Sequence, residues 1–214
     1  MSVYGEPANL LEDDYFLISL DDRSGRGRLS APVRSLGLAA SMVGELVLGG
    51  FLMTAGAEVY PLTGYLPQDE LAAEVMQVVL ARQGERDLGN WLTFLAMEAV
   101  TDVGSRLVRA RRVAEHTRRR LGRSVVEYRP LDLSAAAWSG IRLGNLLAGG
   151  EPMSLADVLL VGLLEATGLL GHVLWDSAVH QPGYVHAEQL LPQLPDPRSP
   201  PSSPAPVSWS ATSY

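Results

Sequence analysis

The sequence predicts an all-α domain, a compact bundle of about six to nine helices with at most a short hairpin. Three observations support this fold class. Apolar residues recur at helical spacing in most segments, strand-like alternation is scarce, and hydrophobic residues make up 47% of the chain although only 7% is aromatic. A chain of 214 residues can bury one aliphatic core without covalent crosslinks, and it contains no cysteine.

The first two helices are predicted from their boundaries. Residues 11–20 carry apolar side chains at helical spacing, and the charged, glycine-containing segment 21–28 then forms a loop or a short hairpin. The second helix begins at Ser30, has a proline in its first turn and ends at Gly49-Gly50. Because apolar residues cover nearly its whole circumference, we expect this helix in the middle of the bundle.

The remaining elements are read in the same way. Residues 51–60 are short, β-tolerant and interrupted by glycine. Six further helices are predicted, and the one at Ser154 begins with a capping-box pattern. Their bounds are 69–82, 91–103 with Asn90 as cap, 105–123, 134–147, 155–179 and 185–191.

Composition divides the chain into three parts. Residues 1–10 are a loose lead-in, and residues 11–191 form the helical domain. Residues 192–214 are rich in proline and serine, so they bury too little apolar surface to offset their ordering entropy and are predicted to be disordered. The longest uncharged apolar run, residues 46–57, is too short to span a bilayer, so we expect a protein that is not integral to a membrane.

Charge is unevenly distributed along the chain. Arginine supplies all 17 basic residues, and nine of them lie between Gly104 and Pro130 beside only two acids, although the whole chain carries a net charge of −7. An acidic protein with one basic segment has a polarised field. This pattern favours one anionic partner at one place, and it argues against nucleic acid, since no helix-turn-helix pattern accompanies the basic residues.

On a helical wheel, segment 105–123 shows a thin aliphatic stripe and an opposite guanidinium face. Arg109 and Arg112 are three residues apart, so their side chains can converge on one anion, which a guanidinium binds through two parallel hydrogen bonds. A solvated face that pairs with nearby acids is the alternative, and both interpretations stay open. The basic face comprises Arg106, Arg109, Arg112, His116, Arg119, Arg120 and Arg123.

A metal site is the remaining chemical candidate. His172, Asp176 and His180 follow one another at intervals of four residues, and imidazole and carboxylate groups are ligands for divalent metals. The two histidines are two helical turns apart, about 12 Å, which is too far for one ion to bind both. Separate His–Asp hydrogen bonds are the favoured interpretation, so we predict no metal, no cofactor and no catalytic residue.

The chain resembles the Golgi phosphoprotein 3 family, in a short bacterial, actinobacterial form. The resemblance covers residues 10–190 and rests on the order and spacing of four segments. They are LLEDDYFLISLDDRSGR, LGLAASMVGELVLGGFL, Asn90-Trp91-Leu92 with the arginine segment behind it, and SLADVLLVGLLEATGLLGHVL.

The resemblance implies a non-enzymatic adaptor that is cytoplasmic and peripheral to the inner face of the plasma membrane. Eukaryotic members bind phosphatidylinositol 4-phosphate on Golgi membranes and retain glycosyltransferases there. The family's arginine pair maps onto Arg109 and Arg112, whereas its tryptophan and further arginine map near Ser30 and Ala39 and are lost. Arg34, one helical turn from Ser30, is the expected substitute. The predicted site for an anionic phospholipid headgroup is therefore Arg109, Arg112, Arg34 and Arg106.

The resemblance also implies an apolar hairpin, which inserts into membrane or mediates self-association. It maps to residues 124–130 and is predicted to be shortened. Because of these departures we expect a general anionic headgroup or another phosphorylated ligand, with a protein partner or self-association adding to the attachment. The alternatives are a soluble binding module for an acidic protein partner and, less favoured, a metal-dependent hydrolase.

Overall fold

The computed structural model describes residues 10–21, 24–82, 84–120, 123–150 and 152–176. Across these residues the chain forms eight helices and two separate antiparallel strand pairs. The domain is mostly helical, as predicted, but it is not purely all-α. The predicted helix 185–191 and the Pro/Ser-rich tail lie outside the described residues, as does all but the last residue of the lead-in.

The elements follow one another in a simple order, with one strand pair after the second helix and the other after the fifth. The helices are α1 (Leu11–Ile18), α2 (Ala31–Leu48), α3 (Glu70–Ala81), α4 (Leu88–Leu95), α5 (Ala99–Arg109), α6 (Leu133–Gly149), α7 (Leu155–Thr167) and α8 (Leu170–Asp176). The strands are β1 (Leu52–Ala55), β2 (Glu58–Pro61), β3 (Val113–Arg120) and β4 (Arg123–Pro130).

Helix α1 lies at the centre of the domain. Seven of its eight residues are buried, and it packs against α2, α5, α6 and α7. The sequence predicted the central place for helix α2. This helix packs against five other helices, but Val33 and Leu36 near its beginning are exposed. The two helices approach closely at Gly37, where any Cβ would overlap the ring of Tyr15. The core is therefore built around the α1–α2 pair.

Helix α2 has one further property. Among the described residues it is the one helix long and apolar enough to cross a membrane, by length and composition alone. Seven of its 18 residues are buried inside the domain. The core helix of a folded domain meets the same criterion, so this finding does not place α2 in a bilayer.

Two predicted helices are each split into two. The segment predicted as 91–103 breaks between α4 and α5. Helix α4 begins three residues earlier than predicted, at Leu88, because Asp87 and not Asn90 caps it, accepting a hydrogen bond from the Asn90 amide at 2.8 Å. The segment predicted as 155–179 breaks at Gly168, which adopts a left-handed conformation with φ of 80°. The capping box at Ser154 is confirmed, with Asp157 as its second member.

The prediction of an arginine helix over 105–123 is wrong beyond Arg109. Helix α5 ends after Arg109 with two hydrogen bonds from the following residues back to its last turn. The Arg112 amide donates to the Leu107 carbonyl at 2.9 Å, and the Arg111 amide donates to the Val108 carbonyl at 3.0 Å. This termination needs a left-handed residue, and Arg111 supplies it with φ of 55°. Glycine normally signals such an end in a sequence, so its absence explains why the end was missed.

The residues after this turn form a hairpin, and its length relative to the family's hairpin stays a prediction. Strands β3 and β4 have eight residues each, and they pair from Val113 with Pro130 to Arg120 with Arg123. Tyr128 of β4 is buried, and its ring packs edge-on against Phe16 with centroids 5.5 Å apart. The same ring lies directly on Gly104 of α5, and a Cβ at that glycine would overlap it. Tyr128 therefore fixes the hairpin to α1 and α5.

This contact yields a stability prediction. We expect Gly104→Ala to lower the free energy of unfolding by about 1–3 kcal/mol, because the added methyl group must displace the Tyr128 ring from a packed core. Gly171→Ala is the matched control, since Gly171 also lies in a helix but has open space where its Cβ would be. Urea unfolding of both variants provides the measurement. A Gly104→Ala protein as stable as Gly171→Ala would contradict the packing described here.

Candidate functional site

Arg106 lies in a buried ion cluster and joins three helices. Its Nη1 atom donates to Glu12 Oε1 of α1 at 2.8 Å, and its Nη2 atom donates to Asp13 Oδ1 at 2.5 Å. A longer contact of 3.3 Å joins Nη1 to Asp69 Oδ1, the oxygen that also caps α3 by accepting from the Ala72 amide. Burial opposes the charge on Arg106, but the neighbouring carboxylates outweigh it and raise the pKa of its guanidinium.

Around the buried residue Glu12, the cluster brings a second carboxylate, Glu45, near the one that pairs with Arg106. Glu12 is 1% exposed, and its second oxygen, Oε2, is buried without a hydrogen-bond partner. Glu45 of α2 lies nearby and accepts the Leu11 amide at 2.8 Å, so its charge stabilises the beginning of α1. Burial raises the pKa of Glu12 from 4.5 to about 7, against the opposing effect of Arg106. Burial also raises the pKa of Asp13.

Arg109 and Arg112 do not converge as the helical wheel predicted, because α5 ends between them. The Arg109 side chain is 62% exposed and lies 3.4 Å from Glu70 on α3. The Arg112 side chain lies beyond the left-handed turn and approaches Asp13 at 3.6 Å. Three of the four predicted headgroup residues, Arg106 included, are therefore associated with carboxylates of α1 and α3.

The adjacent acids Asp13 and Asp14 serve two different neighbours. Asp13 faces α5, whereas Asp14 accepts from Ser139 Oγ of α6 at 2.5 Å and lies 3.7 Å from Arg142. The two adjacent carboxylates therefore link α1 to α5 and to α6.

Arg34, the fourth predicted residue, lies elsewhere. It extends from the first turns of α2 over the Phe16 ring, with 5.6 Å between the guanidinium carbon and the ring centroid, and its Nη1 atom packs against Gly27. Among the described residues it has no carboxylate partner, and its buried Nε atom has no hydrogen bond. Burial lowers the pKa of Arg34. A cation held in this way is unusual, because a desolvated charge normally has a counter-ion.

Arg34 lines a cleft of about 790 Å³ between the start of α2, the loop 25–29 and the hairpin. We call this recess the cationic cleft. Among the described residues, its walls carry three further arginines, Arg26, Arg118 and Arg119, and one acid, Glu127. All three of these arginines are exposed. Tyr128 lies among the lining residues and connects the cleft to the core.

Sequence reasoning missed this arrangement for a specific reason. Arg118 and Arg119 were assigned to a helix, whereas they lie on β3, where alternate residues point to opposite faces. Arg26 belonged to a segment predicted as a loop or a short hairpin, and nothing in its spacing connected it with β3. A usable signal was present in the sequence: the pair Val125-Val126 follows a glycine between two arginine-containing runs, a pattern typical of a hairpin.

The predicted metal-ligand stripe finds no support within the part of the chain that the structure describes. Among those residues, no group of three or more His, Asp or Glu side chains could hold a metal ion. His172 lies exposed on α8. The side chain of Asp176 and all of His180 lie outside the described residues, so that candidate stays untested.

The fold and the cleft together define a mostly helical domain with an arginine-lined recess under a β-hairpin. A family model, Golgi phosphoprotein 3 (GPP34), matches residues 11–200, and the chain belongs to this family. The predicted resemblance is thereby confirmed, while the bacterial origin stays a prediction. No curated protein matches the chain.

The raised pKa of Glu12 predicts a pH-dependent stability. Glu12 has a pKa of 4.5 in the unfolded chain and about 7 in the folded protein, so the folded protein binds this proton more tightly. The stability that this proton contributes is fully present below pH 4.5 and is lost as the pH rises through about 7. We expect the free energy of unfolding to fall by up to about 3 kcal/mol between pH 5 and pH 8. Urea unfolding at both pH values provides the measurement.

The variant Glu12→Gln cannot ionise and should lose this pH dependence. Glu70→Gln is the control, because Glu70 is exposed and should leave the dependence unchanged. Equal pH slopes for the wild type and Glu12→Gln would show that Glu12 is not the titrating group.

The ion cluster predicts different roles for two arginines of α5. Arg106→Gln leaves buried carboxylates without their cation, and we expect it to lower the free energy of unfolding by about 3–5 kcal/mol. Arg109→Gln removes only an exposed ion pair, worth at most about 1 kcal/mol. Thermal unfolding of the two variants separates these roles, and similar melting temperatures would argue against the buried cluster.

Proposed function

We propose that this protein is a non-enzymatic, peripheral adaptor that binds an anionic phospholipid headgroup in the cationic cleft, at the cytoplasmic face of the plasma membrane. Membership of the Golgi phosphoprotein 3 family favours a lipid-binding or adaptor role. The finer proposal, that the ligand is an anionic headgroup and that it binds in this cleft, rests on the residues of the cleft.

The observation that carries the proposal is the state of Arg34. Its side chain is partly buried, burial lowers its pKa, its Nε atom has no hydrogen bond, and among the described residues no carboxylate forms an ion pair with it. A phosphate group in the cleft would supply the missing counter-charge and an acceptor for the Nε hydrogen, restoring what burial has removed. An anionic ligand would therefore relieve an unfavourable feature of the unliganded protein.

The rest of the cleft suits a phosphate-bearing ligand. Arg26, Arg118 and Arg119 approach from two walls, and a planar guanidinium offers paired donors to phosphate oxygens. Within the part of the chain that the structure describes, Glu127 is the one acid on the lining, and Arg129 lies 3.9 Å from it. The cleft thus keeps a positive balance although the whole chain is acidic, which concentrates anion binding at one place.

This proposal changes the weight of the predicted site residues. Arg34 keeps the role that the resemblance implied for it. Arg106 is bonded to carboxylates inside the ion cluster. Headgroup binding by Arg109 and Arg112 stays a prediction, which the vesicle assay below also tests. Attachment through arginines contributes about 1 kcal/mol for each residue near an anionic surface, so the binding should be weak and sensitive to salt.

The test is flotation with vesicles of phosphatidylcholine alone or mixed with an anionic phospholipid. We expect Arg118→Gln combined with Arg119→Gln to lower binding to anionic vesicles about 30-fold, which corresponds to the loss of two surface arginines. Both side chains are exposed on β3, so the variant should remain folded.

Two charge-matched controls complete the experiment. Arg82→Gln with Arg86→Gln removes two exposed arginines before α4 and should leave binding unchanged apart from the small effect of net charge. Arg109→Gln with Arg112→Gln tests the end of α5. If only this last pair abolished binding, the site would lie there and not in the cleft. If the protein bound no vesicle but bound an acidic protein stoichiometrically, the ligand would be that protein and not a lipid.

A further inference from the structure

Four large apolar side chains are exposed within 11 residues at the junction of the hairpin and α6. We call them the α6 patch, and its members are Leu131 (60% exposed), Leu133 (54%), Trp138 (53%) and Ile141 (43%). A half-exposed tryptophan in the same short stretch as three exposed aliphatic side chains is the kind of feature that marks an interaction surface.

Two hydrogen bonds made by residues of α6 restrict its rotation. Ser139, next to Trp138 in the chain, is buried and donates to Asp14 of α1 at 2.5 Å. Arg142, next to Ile141, donates to Asp157 of α7 at 2.5 Å. Turning α6 to bury Trp138 would break both bonds, so the apolar face stays outside.

A second recess opens beside the patch. It has a volume of about 310 Å³, and its walls are mainly apolar, with Ala137 and Ile141 of α6 opposite Leu17 of α1. Arg28 and His172 are the polar side chains on its lining, and no acidic residue among the described ones contributes to it. An apolar recess framed by basic side chains fits a molecule that is apolar at one end and anionic at the other.

This surface adjoins the cationic cleft. Arg28 lines the apolar recess, whereas its neighbours Gly27 and Leu29 line the cleft, so the two openings are separated by one loop. The chain also passes directly from β4 of the hairpin into Leu131, whose amide donates to the Arg112 carbonyl at 3.0 Å. A phospholipid surface presents headgroups and acyl chains side by side at this scale, which matches the arrangement of the two openings.

Charge distinguishes a membrane from a second copy of the chain. A symmetric pair through this patch would bring the Arg28 side chains of the two copies towards one another, which is unfavourable. Asp132 is the one acid within the stretch, and its charge is directed at the beginning of α6, where it accepts the Ser134 and Ala135 amides. Trp beside Leu and Ile, with basic residues around them, is typical of surfaces that enter the interface of an anionic bilayer.

We propose that the α6 patch is the surface that enters the bilayer, with Trp138 as its anchor, beside a headgroup held in the cationic cleft. This inference rests on the proposed function and adds to it the part of the protein that contacts the acyl chains. The arginines would give the attraction to anionic lipid, while the patch would give a part of the binding energy that does not depend on salt.

The chain lacks cysteine, so a single introduced cysteine can be labelled uniquely. We would place an environment-sensitive fluorophore at position 138 through Trp138→Cys and at position 65 through Tyr65→Cys, a control residue that is 82% exposed in the connection after β2. With vesicles containing phosphatidylglycerol, we expect the label at 138 to shift to the blue and to be quenched by lipids brominated in their acyl chains. The label at 65 should show neither change.

An unlabelled variant provides the second measurement. We expect Trp138→Ser to lower binding to the same vesicles about tenfold at high salt, where the arginine contribution is screened, because an apolar side chain no longer leaves water. Tyr65→Ser is the matched control and should bind as the wild type does. Unchanged circular dichroism establishes that both variants are folded.

The outcomes separate this inference from the proposed function. Vesicle binding with a silent label at 138 would overturn the membrane role of the patch and leave headgroup binding intact. A change at 138 that depends on protein concentration without vesicles would identify the patch as a contact between copies and overturn the inference. No binding to any vesicle would overturn the proposed function and this inference together.

Discussion

One buried guanidinium organises the part of the domain on which the rest depends. Arg106 of α5 is bonded to two acids of the central helix α1 and lies against the carboxylate that caps α3. Its cost of desolvation is large, and it is offset only because several carboxylates converge on it. The cluster therefore fixes the direction of α5, and the end of α5 determines where the hairpin leaves the helical core.

The cationic cleft is a consequence of that placement. Once α5 is fixed, Gly104 gives Tyr128 room to pack on it, and Tyr128 fixes β4 against Phe16 of α1. The hairpin then stands opposite the loop 25–29 and the start of α2, and the space between them becomes a recess. Arginines remote in sequence meet there, so the same basic segment supplies an internal counter-ion at Arg106 and exposed cations at Arg118 and Arg119.

Much of the helical framework could be predicted from the sequence. The beginnings of α2, α3 and α7 coincide with residues whose local chemistry marks them, such as Asp69 and Ser154, which bond the first free amides of their helices. The candidate cleft could be predicted only in part. Of its four arginines, the sequence prediction included Arg34 but not Arg26, Arg118 and Arg119, because their meeting depends on a turn at Arg111 that no glycine announces.

The sequence by itself determined the family, the helical character, the absence of disulfide chemistry and the concentration of positive charge in one segment. These properties follow from composition and local spacing, which folding does not change. Only the tertiary structure decided which arginines face carboxylates and which face solvent. That division depends on charges brought together from distant parts of the chain, since Arg106 meets Glu12 across 94 residues. Electrostatic pairing over such separations is set by packing geometry, and periodicity within one segment does not encode it.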